Sequence, residues 1–236
     1  MNHPPRQLAL DLLQPLRPSL DNFVVGRNAE AVAALRDVVA GRGERFVLLW
    51  GSAGSGRTHL LQVAADAGSG CWMDSASAPA EFDAGVRLYL ADDVDRYDDA
   101  RQQRLFVLQN EVRAARDAAL IASAGAPPSQ LALREDVRTR LAWGLVYQLH
   151  GLSDEEKEAA LRAHAASRGI ALPHEVLHYL LTHLPRDMRT QVAILDALDA
   201  YALAAKRSIT VPLVREWLQG GPWGEAREPL LPKDKP

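Results

Sequence analysis

The sequence has a single cysteine and very little lysine. Cys71 is the only cysteine among 236 residues, so the chain can form no internal disulfide and no cysteine-based metal site. Lysine occurs only at positions 157, 206, 233 and 235, so arginine supplies nearly all of the positive charge. The formal net charge of −3 argues against a protein that coats nucleic acid through bulk charge.

Long apolar runs are also missing. The N-terminus has no apolar stretch of signal-peptide length, and no segment is long enough to span a membrane. We therefore expect a cytoplasmic protein without a membrane partner. At 236 residues the chain is long enough to bury a sizeable core in one or two domains.

A glycine-rich stretch follows the apolar run Phe46–Trp50. Its spacing, Gly51-Ser-Ala-Gly-Ser-Gly-Arg-Thr58, is that of a phosphate-binding loop, except that Arg57 stands where lysine is expected. The helix predicted to start there would add its positive end, and Thr58 offers a hydroxyl to magnesium. The alternative is a turn without a ligand. Three glycines would let the backbone approach a polyphosphate: Gly51, Gly54 and Gly56.

A second polar signal ends another apolar run. Val86–Ala91 predicts a strand, and Asp92 and Asp93 follow it directly. In a magnesium–nucleotide site one carboxylate holds the metal and its neighbour polarises the attacking water. We predict that Asp92, with Thr58, lies on the metal side. The alternative is a strand that simply ends at a polar turn.

Strands alternate with helices through the first 150 residues. This order predicts an α/β domain with a parallel sheet and helices on both faces. Residues 75–85 predict a loop. The predicted strands are 46–50, 71–74, 86–91, 118–123 and 145–149, and the predicted helices are 29–40, capped by Asn28, and 57–67, 98–116 and 133–143.

The pattern becomes all-helical after His150. Ser153 and Glu156 have the spacing of a capping box, and helices are predicted over 154–168, 174–183, 187–206 and 211–218. We predict an α/β domain over 21–150, a small helical domain over 151–219, a flexible arm over 1–20 and a disordered tail over 220–236.

The N-terminal arm contains leucines at alternate positions. One interpretation is a linear peptide that binds in a partner's groove, and the other is a strand that docks on its own domain. The residues of this pattern are Gln7, Leu8, Leu10 and Leu12.

Together these segments resemble the AAA+ ATPase core of the bacterial replication-initiator (DnaA) family. Asp21–Asn28 is similar to that family's adenine-side box, Val137–Gly144 to its arginine-finger box and Asp187–Thr190 to its second sensor. The similarity covers about residues 20 to 219. The chain ends where an initiator would continue into a helix-turn-helix domain, and its arm resembles the motif that binds the sliding clamp. This combination resembles a regulatory inactivator of the initiator.

The resemblance implies roles for the matching residues. Val24 and Val25 would flank the adenine, and Arg189 would sense the nucleotide from the helical domain. Arg140 would be an arginine finger acting in trans, which can be worth ~10³–10⁵ in rate. Arg138 is its rival, because spacing does not decide between them, and without the family a solvated helix face would explain both. The leucine arm would bind the sliding clamp, the β subunit of DNA polymerase III.

The sequence departs from the family pattern at two points. The strand end at Ser123–Pro128 lacks the polar Asp-Arg pair of the first sensor, and the guanidinium of Arg57 cannot place a point charge between phosphates as an ammonium does. We infer that the chain holds ADP (or ATP), with or without Mg²⁺, and hydrolyses it poorly. Because Asp92 and Asp93 are present, weak hydrolysis of ATP by this chain is the alternative.

The resulting hypothesis is a regulator that binds the clamp and stimulates ATP hydrolysis by DnaA, which limits re-initiation of replication. The alternative is an autonomous AAA+ ATPase such as a helicase loader. We expect no specific DNA binding by the chain itself, and self-association stays open.

Overall fold

The computed structural model describes residues 23–77, 80–185 and 187–220. The leucine arm with Gln7, Leu8, Leu10 and Leu12, the start of the adenine-side box, and the tail lie outside the described residues. The chain divides into two compact units, whose described parts are residues 23–152 and 153–220. None of the described helices is both long and apolar enough to cross a lipid bilayer.

The first unit is an α/β domain. Its strands are β1 (Phe46–Trp50), β2 (Cys71–Met73), β3 (Leu88–Ala91), β4 (Ala119–Ala124) and β5 (Leu145–Gln148). Its helices are α1 (Ala29–Val39), α2 (Arg57–Gly68), α3 (Asp99–Ala114) and α4 (Glu135–Leu141), with short 3-10 turns at Val94–Arg96 and Pro128–Gln130.

All five strands run parallel in the order β2-β3-β4-β1-β5. Strand β1 pairs with β4 on one side and with β5 on the other, and Leu48 lies opposite Ala122 of β4 and Val146 of β5. Because the strands are parallel, the carboxyl ends of β1, β3 and β4 meet at one edge. The predicted parallel α/β fold is confirmed.

The alternation of side chains along β1 explains why the sheet is covered on both faces. Val47 and Leu49 pack with α1 and α2, whereas Phe46 and Leu48 pack with α3 and α4. Every one of these strand residues is buried, which is typical of a parallel strand inside a three-layer domain.

The second unit consists of α5 (Asp154–Ser167), α6 (His174–His183), α7 (Met188–Ala205) and α8 (Val211–Gly220) around their own apolar core. The predicted capping box is confirmed: the Ser153 hydroxyl accepts from the amide of Glu156 at 3.2 Å, and the Glu156 carboxylate accepts from the amide of Ser153 at 2.7 Å. Asp187 caps α7 by accepting from the amide of Thr190 at 2.8 Å.

The differences from the predicted elements have local causes. β3 begins at Leu88 rather than residue 86, because pairing with β4 starts where Leu88 faces Ala119. The predicted helix 133–143 shortens to α4 because Arg134 is extended, with ψ of 139°. Asn28 precedes α1 as predicted, but its side chain does not cap the helix.

Candidate nucleotide-binding site

The glycine loop leaves the carboxyl end of β1 and enters α2, as predicted. A side chain at Gly51 would overlap the carbonyl oxygen of Leu149, and one at Gly56 would lie 2.7 Å from the ring of Phe23. Gly56 also has a φ of 95°, which favours glycine. Gly54, with φ of 79°, faces open space. Two of the three glycines are therefore required by the packing of the loop itself.

The loop has unsatisfied donors. The N-terminus of α2 has neither a side-chain cap nor an acidic residue in its first turn, so its first amides are available to an anion. The hydroxyl of Ser55 is buried and has no hydrogen-bond partner within the described residues. Thr58, in the first turn of α2, is exposed. These features suit a phosphate group better than a plain turn.

Arg57 reaches across to the end of β3. Its Nη2 lies 3.1 Å from Oδ1 of Asp93, and only 12% of its side chain is exposed. The two groups are close but not aligned as a hydrogen bond, and Nη1 of Arg57 is buried without a partner within the described chain. The guanidinium therefore contacts Asp93, the second member of the acidic pair.

Ser123 connects the acidic pair to β4. Its hydroxyl donates to Oδ1 of Asp92 at 2.5 Å and accepts from the amide of Asp93 at 2.8 Å. Asp92 is 7% exposed, and Asp93 has a left-handed φ of 46°. In the sequence, Ser123 stands out only as a departure from the family pattern. Its position at the end of a strand is the signal that relates it to Asp92 and Asp93, because neighbouring parallel strands bring their carboxyl ends together.

The electrostatic environment of Asp93 has two opposing parts. Burial raises the pKa of its carboxyl, and the positive charge of Arg57 opposes that rise. Arg96 also approaches, with its Nε 3.6 Å from Oδ2 of Asp93. Two guanidinium groups therefore face one carboxylate.

The two carboxylates at this edge of the sheet are already in contact with other groups of the protein. Oδ1 of Asp92 accepts from Ser123, and Oδ1 of Asp93 lies against Arg57, so a cation at this edge would compete with protein groups for these two oxygens. No group of three or more His, Cys, Asp or Glu side chains that could hold a metal occurs within the described ranges. Thr58 and Asp92 lie at the predicted edge of the sheet, but their predicted role as magnesium ligands stays a prediction.

The adenine-side segment is fixed beside the loop. Asn28 is 3% exposed, and its amide side chain donates to the carbonyl of His150 at 3.0 Å and accepts from its backbone amide at 2.8 Å. Its own amide donates to the carbonyl of Val25 at 2.8 Å. Val24 and Val25 are half-buried, and Phe23 lies against the Gly56 position.

Arg140 lies at the other end of the central strand. Its Nε donates to Asn110 at 3.1 Å, its Nη1 donates to the carbonyl of Asp136 at 3.1 Å, and its guanidinium lies 3.9 Å from the centre of the Phe106 ring and 4.9 Å from that of Trp143. These contacts hold the guanidinium in a fixed orientation.

Its distance from the loop follows from the strand. Trp143 packs edge-on against Phe46, the first residue of β1, whereas the glycine loop leaves from Trp50, the last residue. These ends are about 13 Å apart along a strand. Arg140 therefore belongs to a different edge of the sheet from the chain's own loop.

The other two predicted arginines have few contacts. Arg138 is half-buried, and among the described residues its side chain has no recorded hydrogen bond or ion pair. Arg189 is exposed in the first turn of α7, where a positive charge opposes the helix dipole. Helix stability therefore does not explain its position.

The fold is similar to those of known structures. Domain III of the replication initiation protein DnaA from Thermotoga maritima superposes with a TM-score of 0.69 at 21% identity, over 88% of this chain and 97% of that one. AMPPCP-bound DnaA from Aquifex aeolicus has a TM-score of 0.62 at 19% identity, over 82% and 71%. The RuvB Holliday junction branch migration motor of Thermotoga maritima has a TM-score of 0.62 at 17% identity, over 87% and 73%.

The chain therefore has an AAA+ fold like that of DnaA domain III, with a glycine loop at the carboxyl edge of the parallel sheet and a helical unit after it in the chain. Residues 154–218 match the family model described as the Hda lid domain. The second unit of the chain is therefore similar to the Hda lid domain, and we call it the lid.

Proposed function

We propose that this chain regulates replication initiation by stimulating ATP hydrolysis on DnaA. Arg140 would enter the nucleotide site of DnaA and stabilise the charge that develops on the γ-phosphate. The observation that carries the proposal is the position of Arg140, which packs at the opposite end of β1 from the chain's own loop. A guanidinium so placed suits a partner's nucleotide better than its own.

Arg140 suits this role better than Arg138 for a physical reason. An arginine that is already oriented loses less side-chain entropy when it meets a phosphate. Two nitrogens of Arg140 have hydrogen bonds to Asn110 and Asp136, and no hydrogen bond is recorded for Nη2 among the described residues. That nitrogen would contact the partner.

The chain's own nucleotide would serve a structural role. DnaA structures of this fold have been solved with AMPPCP, and the free donors around Gly51–Thr58 suit phosphates. Because Arg57 contacts Asp93, it is not placed to drive transfer of a γ-phosphate. We propose bound ADP, with Val24 and Val25 beside the adenine.

The test compares Arg140→Ala with Arg138→Ala in an assay of ATP hydrolysis by DnaA, with the sliding clamp present. We expect Arg140→Ala to lower the stimulated rate by about 10³-fold or to the unstimulated rate. Arg138→Ala should keep the stimulation. Clamp binding should be unchanged in both variants.

Stimulation that persists in Arg140→Ala would contradict the assignment. Loss of the stimulation in Arg138→Ala alone would instead identify Arg138 as the arginine finger.

An autonomous AAA+ ATPase is the second candidate. It is favoured by Asp92 and Asp93, which do lie at the carboxyl edge of the sheet beside the loop. Steady ATP turnover by the isolated protein, lost in Asp93→Asn, would support this candidate. We expect turnover near background, because Asp93 faces Arg57 rather than open space for a water.

A further inference from the structure

The carboxylates at the edge of the sheet are already matched with donors and positive charge from the protein. Asp92 accepts from the Ser123 hydroxyl, and Asp93 faces Nη2 of Arg57 at 3.1 Å. A divalent cation in the usual position would have to displace one of these groups, and it would stand close to a buried guanidinium of like charge.

The second guanidinium nitrogen of Arg57 has no acceptor in the described part of the chain. Nη1 is buried without a hydrogen-bond partner among the described residues, beside the backbone of Gly125. Leaving a buried charged donor unpaired is costly, and a phosphate oxygen is a strong acceptor for a guanidinium. The same side chain can therefore neutralise Asp93 and donate to a phosphate.

We propose that the loop binds a nucleoside diphosphate without a divalent cation, and that Arg57 supplies the positive charge that magnesium supplies in other phosphate-binding loops. The loop amides and the N-terminus of α2 bind the β-phosphate, and Arg57 bridges that phosphate to Asp93. The proposal rests on the proposed nucleotide site. It assigns to Arg57 the role of an internal cation.

The experiment measures ADP affinity of the full chain by titration calorimetry, once with magnesium and once with EDTA. We expect the dissociation constant to change by less than about threefold between the two buffers. In Arg57→Lys a compact ammonium group replaces the planar guanidinium and cannot contact Asp93 and a phosphate at once. We therefore expect this variant to bind ADP at least about tenfold more weakly in EDTA than in magnesium. Arg36→Lys, on an exposed position of α1, is the matched control and should behave as the parent.

The outcomes are distinct. Binding that needs magnesium in the parent chain would overturn this inference and leave the nucleotide site in place. Absence of ADP binding in both buffers would overturn the nucleotide site together with this inference.

Thermal unfolding of each variant shows whether it is folded, and Asp93→Asn gives a second test. This substitution removes the negative charge of residue 93 and keeps Arg57, so ADP binding should still be independent of magnesium. A magnesium requirement in Asp93→Asn would also contradict the role of Arg57.

Discussion

Single residues at the edge of the sheet decide what the loop can do. Arg57 would be expected to point along the loop toward phosphates, but its guanidinium reaches Asp93. Ser123 supplies the hydroxyl that orders Asp92 and Asp93. Each of these contacts joins residues at least 30 positions apart in the chain, so none was visible as a sequence pattern.

Asp74 provides a prediction at the same scale. The indole of Trp72 donates to its Oδ2 at 3.0 Å, and the amides of Ala76 and Ser77 donate to its Oδ1. The Trp72 hydrogen bond is the main cause that lowers the pKa of Asp74 to about 2, from 3.8. A lowered carboxyl pKa stabilises the fold above the unfolded pKa, and this stabilisation is lost as pH falls from about 4 to about 2.

We expect Asp74→Asn to lose this pH-dependent part of the stability, which is no more than about 1 kcal/mol after solvent screening. Urea unfolding at neutral pH and at progressively acid pH measures it. The parent should lose more stability than the variant over the acid range. Parallel curves for the two proteins would contradict the prediction.

At the scale of elements, side chains close in the chain set where a helix begins, and the neighbouring strand of the sheet sets where a strand begins. The start of α5 could be predicted because Ser153 and Glu156 are neighbours on the same turn. The start of β3 could not, because it depends on where β4 lies. Asn28 shows the same limit: its residue type suits a helix cap, but its amide is taken by the backbone of His150, 122 residues away.

The capping box gives the prediction for this scale. Ser153→Ala removes the acceptor for the amide of Glu156, and we expect it to lower the free energy of unfolding of the lid by about 1 kcal/mol. Ser167→Ala, at the other end of α5, is the control and should change it by less than about 0.5 kcal/mol. Chemical denaturation followed by circular dichroism compares them. An equal effect of both substitutions would exclude the cap as the cause.

At the scale of the whole molecule, the glycine loop and Arg140 lie at opposite ends of the central strand β1. The carboxyl edge carries the glycine loop and the acidic pair, and Arg140 packs near the amino end of β1. This separation supports one edge that holds the chain's own nucleotide and another that is offered to a partner. The lid forms a second unit with its own core.

The leucine pattern predicts how the whole protein is recruited. Replacing Leu8 and Leu10 by Ala should abolish retention on immobilised sliding clamp, since both would enter the peptide groove. Leu13→Ala, which is out of the alternating register, should be retained. Circular dichroism should be unchanged in both variants. Retention of the double variant on the clamp would refute the clamp-binding role of the arm.

The sequence by itself determined the order of elements, the parallel α/β class, the glycine loop and the capping box, because each depends on residues close together in the chain. It also determined which arginines to consider, through resemblance. Only the tertiary structure decided that Arg57 meets Asp93, that Ser123 belongs to the site, and that Arg140 lies away from the loop. Those facts depend on which strands are neighbours and in what register, and long-range pairing leaves no local pattern in a single sequence.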